Sequence, residues 1–192
     1  MKNILILSAN PNANSFNHSL ATAYADSAKA AGHEAKLIRT TDLNYQYDLV
    51  PGLELEPDLL KLQDQIHDAD HVVVVMPVWW YGPPANLKAL FDRLLTPGFA
   101  YKYPHPWKPL RPFLPRRLLK GRSVRIITTQ DSYRPVAWAM AMPIGWSMRI
   151  ATFWYVGFWP VRHTRFTRVR FADEDKRSKW MSKVARLGSK AK

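Results

Sequence analysis

The chain has 192 residues and no cysteine; 47% of its residues are hydrophobic and 22% are charged. This length suits one domain, because a folded chain of this size buries roughly 70% of the surface that it exposes when unfolded. The lack of cysteine excludes disulfides, thiolate metal sites and a cysteine nucleophile, and the composition excludes wholesale disorder. We therefore expect a single cytoplasmic domain over residues 1–192.

The charge is distributed unevenly along the chain. Residues 1–100 contain 7 basic residues (Lys and Arg) and 11 acidic residues (Asp and Glu), a net charge of −4. Residues 101–192 contain 21 basic and 4 acidic residues, a net charge of +17. Such asymmetry favours an anionic partner for the second half: a phosphorylated cofactor, a membrane surface or nucleic acid. A solvated basic surface is the alternative.

Apolar runs and helical periodicity alternate from the N-terminus onwards. They predict strands over Asn3–Leu7, Ala35–Ile38, His71–Val78, Val124–Thr129 and Phe158–Thr164, and helices over Asn17–Ala31, Asp58–Asp68, Leu87–Leu95 and Asp173–Leu187. The valine-rich third strand is typical of a central parallel strand that is buried on both faces. The alternation predicts an α/β fold, an open parallel five-stranded sheet with helices on both faces.

Two stretches break this alternation. Residues 104–115 contain five prolines and lead into a basic run, so we expect residues 104–122 to form an extended Pro-rich excursion from the domain. Residues 136–161 carry only one charge, Arg149, and are long enough to span a membrane. The charge, a proline and a glycine argue against a span. We expect a buried helix with a dimer surface; a peripheral membrane contact is the alternative.

In an open parallel sheet, ligands bind beyond the carboxyl ends of the strands. The loop over residues 8–17 opens a helix with Asn and Ser residues, which suit an anion at the positive helix end, although helix capping alone would also explain them. It lacks the glycine-rich dinucleotide fingerprint. The loop over residues 77–84 has two Trp and one Tyr, which suit a planar ring or, alternatively, core packing. A third such loop covers residues 129–134.

Two of these loops carry motifs of a known family. The motifs are Asn10-Pro11 followed by Ser15-Phe16-Asn17, and the run from Pro77 to Lys88 that continues through Asp92-Arg93 to Thr96–Tyr101. They resemble the flavodoxin-like NAD(P)H:quinone oxidoreductases, a group that includes mammalian quinone reductases, bacterial drug-activity modulators and ancillary subunits of potassium-efflux systems. The similarity covers residues 1–103 well and the remainder weakly.

The resemblance implies a flavin, either FMN or FAD, with NAD(P)H as the co-substrate. The residues that it implies at the phosphate end are Asn10, Ser15, Phe16, Asn17 and Ser19. Those that it implies around the isoalloxazine ring are Pro77, Val78, Trp79, Trp80, Tyr81, Thr128, Thr129, Gln130 and Asp131. It also implies a place near the cofactor for Asp92, for which a solvated or interface pair with Arg93 is the alternative. It further implies that Tyr101 and Tyr103 line a substrate slot, reached across the interface of a homodimer.

The implied reaction is a ping-pong transfer of two electrons. A hydride passes from the nicotinamide to flavin N5, NAD(P)+ departs, and a hydride then passes to a quinone-like acceptor. The cofactor performs this chemistry, while the protein stacks the rings and supplies hydrogen-bond donors. The sequence has no metal-binding pattern and no recognised nucleic-acid motif, so we expect neither partner.

One segment departs from the family pattern. Many members have Gly-Gly after the two threonines and a His further on, whereas this chain has Gln130-Asp131-Ser132-Tyr133 and no His until His163. A glycine pair allows a ring to approach the backbone closely, which Gln-Asp does not allow so freely. Tyr133 is the one candidate proton donor. The departure leaves an alternative: a non-catalytic regulatory subunit that acts through a membrane or ion-transport partner.

Overall fold

The computed structural model describes residues 1–103, 115–133, 135–136 and 145–192. Its strands are β1 (Asn3–Ser8), β2 (Glu34–Arg39), β3 (His71–Pro77), β4 (Tyr101–Lys102), β5 (Arg116–Arg117), β6 (Ser123–Gln130) and β7 (Val161–Thr167). Its main helices are α1 (Phe16–Ala30), α2 (Pro57–Asp68), α3 (Ala85–Leu94), a π-helix (Ser147–Trp154) and α4 (Glu174–Ser189).

Five strands form one parallel sheet in the order β2-β1-β3-β6-β7. The valine-rich β3 lies in the centre, and all seven of its residues are buried. From β1 the chain first moves outwards to β2 and then returns to β3 on the other side of β1. The order therefore reverses between β1 and β3, and the carboxyl ends of these strands border the crevice where ligands bind in such sheets.

The two faces of the sheet are covered by different helices. On one face, Leu20 and Tyr24 of α1 and Val184 of α4 pack against side chains of the central strands. On the other face, α2, α3 and the π-helix contribute the buried residues Leu59, Leu62, Ile66, Leu87, Leu90, Leu94, Met148 and Phe153. The predicted open parallel five-stranded sheet with helices on both faces is confirmed.

The fifth strand of the sheet begins later than predicted. Phe158 belongs to a turn after the π-helix, where its N–H donates to Phe153 O at 3.0 Å and its ring packs edge-on against Phe153. The strand begins at Val161 and continues to Thr167. The prediction was wrong at its first residues because the apolar character of Phe158 reflects packing under the π-helix and not strand pairing.

Both irregular stretches are described in part. Residues 104–114 of the Pro-rich excursion lie outside the described residues, and the short strand β5 that follows pairs antiparallel with β4. Residues 137–144 also lie outside them, and the π-helix that follows packs Met148 and Phe153 into the core. None of the helices in the described ranges combines the length and the apolar character needed to cross a bilayer.

His71, the first residue of β3, is fully buried. Its Nδ1 lies 2.8 Å from Ser123 Oγ, and its Nε2 has no partner among the described residues. Burial, followed by the nearby charges of Lys2, Arg125 and Arg162, lowers the pKa of His71 to about 3. The folded protein therefore keeps this imidazole neutral at a pH where the unfolded chain protonates it.

This difference predicts a loss of stability in mild acid. Below about pH 6.5 the unfolded chain binds a proton at His71 that the folded chain does not, so the free energy of unfolding should fall by about 1.4 kcal/mol per pH unit from this group. Urea unfolding between about pH 6 and pH 4 measures the slope, and His71→Gln should reduce it by about one proton. His67→Gln, at an exposed position on α2, is the control, and equal slopes in His71→Gln and the wild type would contradict the assignment.

Candidate functional site

The loop after β1 is organised by short polar side chains. Asn10 Oδ1 accepts from the Asn12 N–H and Asn12 Oδ1 from the Asn14 N–H, both at 2.9 Å. These two turns bring the chain to Ser15, whose Oγ caps α1 by accepting from the His18 N–H at 3.3 Å. The loop is held by its own side chains and delivers the helix start to the carboxyl edge of the sheet.

The first turn of α1 keeps free donors. The N–H groups of Phe16 and Asn17 have no acceptor within the helix, because no helical carbonyl lies four residues before them. The helix dipole adds a partial positive charge at this end. The first turn contains no acidic residue that would neutralise it. This helix start therefore suits an anionic group such as a phosphate.

Asn17 connects two of the three loops at the carboxyl edge. Its side chain is 3% exposed, and its Oδ1 accepts from Asn10 Nδ2 at 3.0 Å and from Thr129 Oγ1 at 3.1 Å. Thr129 is the penultimate residue of β6, so this one oxygen fastens the loop after β1 and the start of α1 to the end of β6. Asn17 Nδ2 has no partner among the described residues.

The aromatic loop after β3 is a tight hairpin. The Val78 N–H donates to Thr129 O at 2.8 Å, and Trp79 and Gly82 exchange backbone hydrogen bonds of 3.1 and 2.8 Å. The two residues between them, Trp80 and Tyr81, have φ of +50° and +56°. These left-handed conformations cost a residue with a side chain about 1–2 kcal/mol each.

The strained hairpin leaves its tryptophans outside the core. Trp79 is 49% exposed and Trp80 fully exposed, so core packing does not account for them. Tyr81 is half-buried, and its hydroxyl oxygen accepts from Ser132 Oγ at 3.3 Å, which connects this loop to the one after β6. The hairpin presents flat aromatic surface beside the strand ends.

The loop after β6 contains the departure from the family pattern. Gln130 is 6% exposed, and neither its Nε2 nor its Oε1 has a partner among the described residues. Asp131 Oδ1 accepts from the Arg170 N–H at 2.7 Å, so its carboxylate is held by the segment after β7. Tyr133 is exposed, and the Arg168 guanidinium lies 4.5 Å from the centre of its ring.

Four other predicted site residues lie apart from this group or at its margin. Ser19 is exposed on α1. Asp92 forms an ion pair of 2.6 Å with Lys88 on α3, about 10 Å along the helix from its first residue. The hydroxyl groups of Tyr101 and Tyr103 form a hydrogen bond of 3.2 Å, which raises the pKa of Tyr101 to about 12. The roles of these residues stay predictions.

The sequence did not indicate the segment after β7. The backbone of Arg168 is left-handed, at φ +58°, its guanidinium lies over the Tyr133 ring, and the Arg170 N–H two residues later donates to Asp131. Arginine has no preference for that conformation, so no residue pattern marks the turn. The register of the sheet pairs Gln130 with Thr167, and this pairing brings the segment after β7 next to the loop after β6. The sequence alone does not give that register.

These features fit a cofactor that combines a phosphate with a planar polar ring. The free N–H groups of α1 suit the phosphate, and Trp79 and Trp80 suit the ring face. Buried polar atoms without partners cost about 1–3 kcal/mol each, which hydrogen bonds to a ring edge would recover at Asn17 Nδ2 and Gln130. A flavin has this combination of groups.

The strand order and the loops at the carboxyl edge define an α/β protein of the flavodoxin type. The chain belongs to a family of proteins with the flavodoxin-like fold, and the sequence pattern of that family matches residues 2–190. The resemblance read from the two loop motifs is thereby confirmed for the family and for the fold.

The chain is similar to several proteins of known type. It is 31% identical to NAD(P)H dehydrogenase [quinone] 1 of Rattus norvegicus over 127 residues, 54% of this chain and 46% of the rat protein. The chain thus spans about half the length of the curated relatives it matches. The fold is shared with the NAD(P)H:quinone oxidoreductase of Methanothermobacter marburgensis (TM-score 0.82, 20% identity, 99% of this chain and 96% of the other). It is also shared with an FMN-dependent NADH-azoreductase of Bacillus anthracis in complex with FMN (TM-score 0.76, 18% identity, 100% and 99%).

The bond between Asn17 and Thr129 can be measured by a double-mutant cycle. Asn17→Ala removes the acceptor, and Thr129→Val removes the donor with little change of shape. Because a buried hydrogen bond contributes about 0.5–1.5 kcal/mol, we expect a coupling energy of that size in urea unfolding. A cycle of Asn17→Ala with Ser19→Ala, an exposed residue on the same helix, should be additive. A zero coupling for Asn17 and Thr129 would contradict the connection between these loops.

Proposed function

We propose that this protein is a flavin-dependent NAD(P)H oxidoreductase that reduces quinone-like acceptors. The observation that carries the proposal is that a positive helix start and an exposed aromatic hairpin lie at one sheet edge, joined through Asn17, Thr129 and Val78. The relative named NAD(P)H dehydrogenase [quinone] 1 and the azoreductase solved with FMN support the same reading.

Each loop has a separate task in this proposal. Ser15 and the N–H groups of Phe16 and Asn17 hold the phosphate end, with Asn10 fixing the loop around it. The rings of Trp79 and Trp80 cover the isoalloxazine face and keep water away from it. Their left-handed hairpin is held in place before any ligand binds, so little ordering is needed on binding.

The Gln130-Asp131 departure is compatible with this site. The Gln130 carboxamide offers both a donor and an acceptor to the polar edge of the ring. The Asp131 carboxylate is bound by the Arg170 N–H, so its negative charge is held towards the segment after β7. This placement matters because a carboxylate beside a ring that gains negative charge on reduction would oppose the reaction.

When bound, a flavin supplies the chemistry, taking a hydride from NAD(P)H at N5 and giving it to the acceptor after NAD(P)+ has left. The chain orients the rings and excludes water. We propose that the Tyr133 hydroxyl holds a proton for the acceptor, with the Arg168 guanidinium packed over its ring. Tyr101 and Tyr103 supply two further hydroxyl groups to the acceptor slot.

We further propose a homodimer of single-domain subunits in the cytoplasm, in which Tyr103 of one copy lines the slot of the other. Tyr103 is 70% exposed, which leaves it available for such an interface. The regulatory alternative draws support from the net charge of +17 in residues 101–192. Turnover of NAD(P)H separates the two functions, because a regulatory subunit needs none.

Flavin binding should depend on the aromatic hairpin. The double variant Trp79→Ala with Trp80→Ala should bind FMN and FAD about tenfold or more weakly, because two ring contacts are lost. Titration of flavin fluorescence measures this affinity and identifies the preferred flavin. Circular dichroism should be unchanged, since both side chains are exposed.

Trp159→Ala is the matched control, because Trp159 is 70% exposed and lies in the turn before β7, at the opposite edge of the sheet. It should leave flavin affinity unchanged. Equal affinity in the double variant and the wild type would contradict the assignment of the ring face to Trp79 and Trp80.

Steady-state turnover of NAD(P)H with a soluble quinone tests the reaction itself. A ping-pong sequence predicts parallel double-reciprocal lines when the NAD(P)H and quinone concentrations are varied. Intersecting lines would contradict the sequence of two half-reactions, and absence of turnover in the flavin-loaded protein would contradict the enzymatic proposal.

A further inference from the structure

Arg149, His163 and Arg165 form a cluster on the π-helix face of the sheet. Arg165 Nε donates to His163 Nδ1 at 3.2 Å, and Arg149 Nη2 donates to Val161 O at 3.5 Å. Every second side chain of a strand lies on the same face, so in β7 the side chains of Val161, His163 and Arg165 share one face. Val161 packs in the core with Met148 and Phe153 of the π-helix, which identifies that face. Two guanidinium groups therefore lie around one imidazole.

Most donors of these guanidinium groups are free. Arg149 Nε is buried and has no acceptor among the described residues. Arg165 is exposed; among the described residues only its Nε donates to a protein acceptor, and its Nη groups face water. An unsatisfied donor on a charged group is expensive where water is excluded, which applies to Arg149 Nε, while the Nη groups of the exposed Arg165 can bind a solute directly from solution.

No carboxylate of the described residues pairs with either arginine. In residues 101–192 the acids are Asp131, Asp173, Glu174 and Asp175, and the sequence has none within 104–114, 134 or 137–144. Asp131 is bound to the Arg170 N–H, Asp173 caps α4, and Asp175 pairs with Lys179. The two positive charges of the cluster therefore lack a counter-charge from these groups.

The pKa of the His163 imidazole is lowered in this surrounding. Burial, followed by the charges of Arg165, Arg149 and Arg125, lowers the pKa of His163 to about 3. Since Nδ1 accepts from Arg165, the ring proton lies on Nε2, which is 2.9 Å from Thr128 Oγ1 and donates to it. Burial and the charge of Arg149 also lower the pKa of Arg165.

The backbone leaves room for the guanidinium groups. A Cβ at Gly145 would lie 3.2 Å from Arg165 Nη2, tighter than ordinary contact, so the glycine leaves that space open. Arg149 lies in the π-helix Ser147–Trp154. Such helices are rare in proteins, and those that occur are often found at functional sites.

We propose that Arg149 and Arg165 form a binding site for a phosphate-type oxyanion, separate from the start of α1. The planar forks of two arginines match the oxygens of a phosphate and would supply the missing counter-charge. The site lies on the π-helix face, whereas α1 packs on the opposite face. The phosphate is either free inorganic phosphate or the phosphate monoester of a nucleotide such as NADPH.

The test uses the imidazole of His163 in the full-length protein, without flavin. Inorganic phosphate is added at constant ionic strength while the ¹⁵N resonances of His163, assigned with His163→Gln, are followed. We expect a saturable shift, and an anion between the arginines should also raise the pKa of His163. Arg165→Gln and Arg149→Gln should each weaken the phosphate affinity about tenfold or more.

Arg186→Gln is the matched control, because it removes an exposed arginine of α4 and should leave the affinity unchanged. Arg165→Lys keeps the charge and removes the fork, so it should bind phosphate more weakly than the wild type with the same fold. If Arg149→Gln does not fold, the Arg165 variants and the wild-type titration still decide the matter.

NADPH and NADH are compared in the same titration to identify the source of the phosphate. A shift of His163 with NADPH but not with NADH, lost in Arg165→Gln, assigns the site to the nucleotide monoester. A shift with inorganic phosphate alone assigns it to the free ion. His163 resonances that do not move with any probe, or that move equally in Arg165→Gln, would overturn the proposal. Neither result depends on flavin binding or on turnover.

Discussion

The arrangement of the candidate site depends on one carboxamide oxygen. Asn17 Oδ1 accepts from both Asn10 and Thr129, so the start of α1, the loop after β1 and the end of β6 are held at fixed positions. Thr129 O in turn accepts from the Val78 N–H, which holds the first residue of the aromatic loop. Through these bonds, a helix end suited to a phosphate and a hairpin suited to a planar ring share one edge of the sheet.

The cost of this arrangement is visible in the hairpin and in the unpartnered amides. Trp80 and Tyr81 are left-handed without being glycine, and Trp80 is completely exposed to solvent. Asn17 Nδ2 and both polar atoms of Gln130 are buried without described partners. Such strain and unsatisfied polar groups are often found at functional sites, and the carboxyl edge of this sheet has both.

The sheet could be predicted from the sequence because its strongest signal is local. A run of valines buried on both faces is typical of a central parallel strand, and the helices between the strands show clear periodicity. The start of β7 could not be predicted, since Phe158 is apolar for packing against Phe153. The residues are apolar in both cases, and only the tertiary contact distinguishes a strand residue from a residue packed in a turn.

The loops of the site could be located from the sequence, but their connections could not. The Asn and Ser residues and the two tryptophans mark loops after β1 and β3 through their residue types. The bond of Asn17 to Thr129 joins residues 112 positions apart, and the turn at Arg168 that holds Asp131 has no residue signature. The placement of Arg149 near Arg165 likewise depends on how the π-helix packs on β7, which hydrophobic patterns do not specify.

An anaerobic absorption spectrum of the purified protein loaded with FMN or FAD tests the proposed flavin chemistry directly. We expect NADPH or NADH to bleach the flavin band and a soluble quinone to restore it in the absence of free nucleotide, since the two half-reactions are separate. A protein that binds no flavin, or whose bound flavin is not bleached by either nucleotide, would show that it is not a flavin-dependent NAD(P)H oxidoreductase.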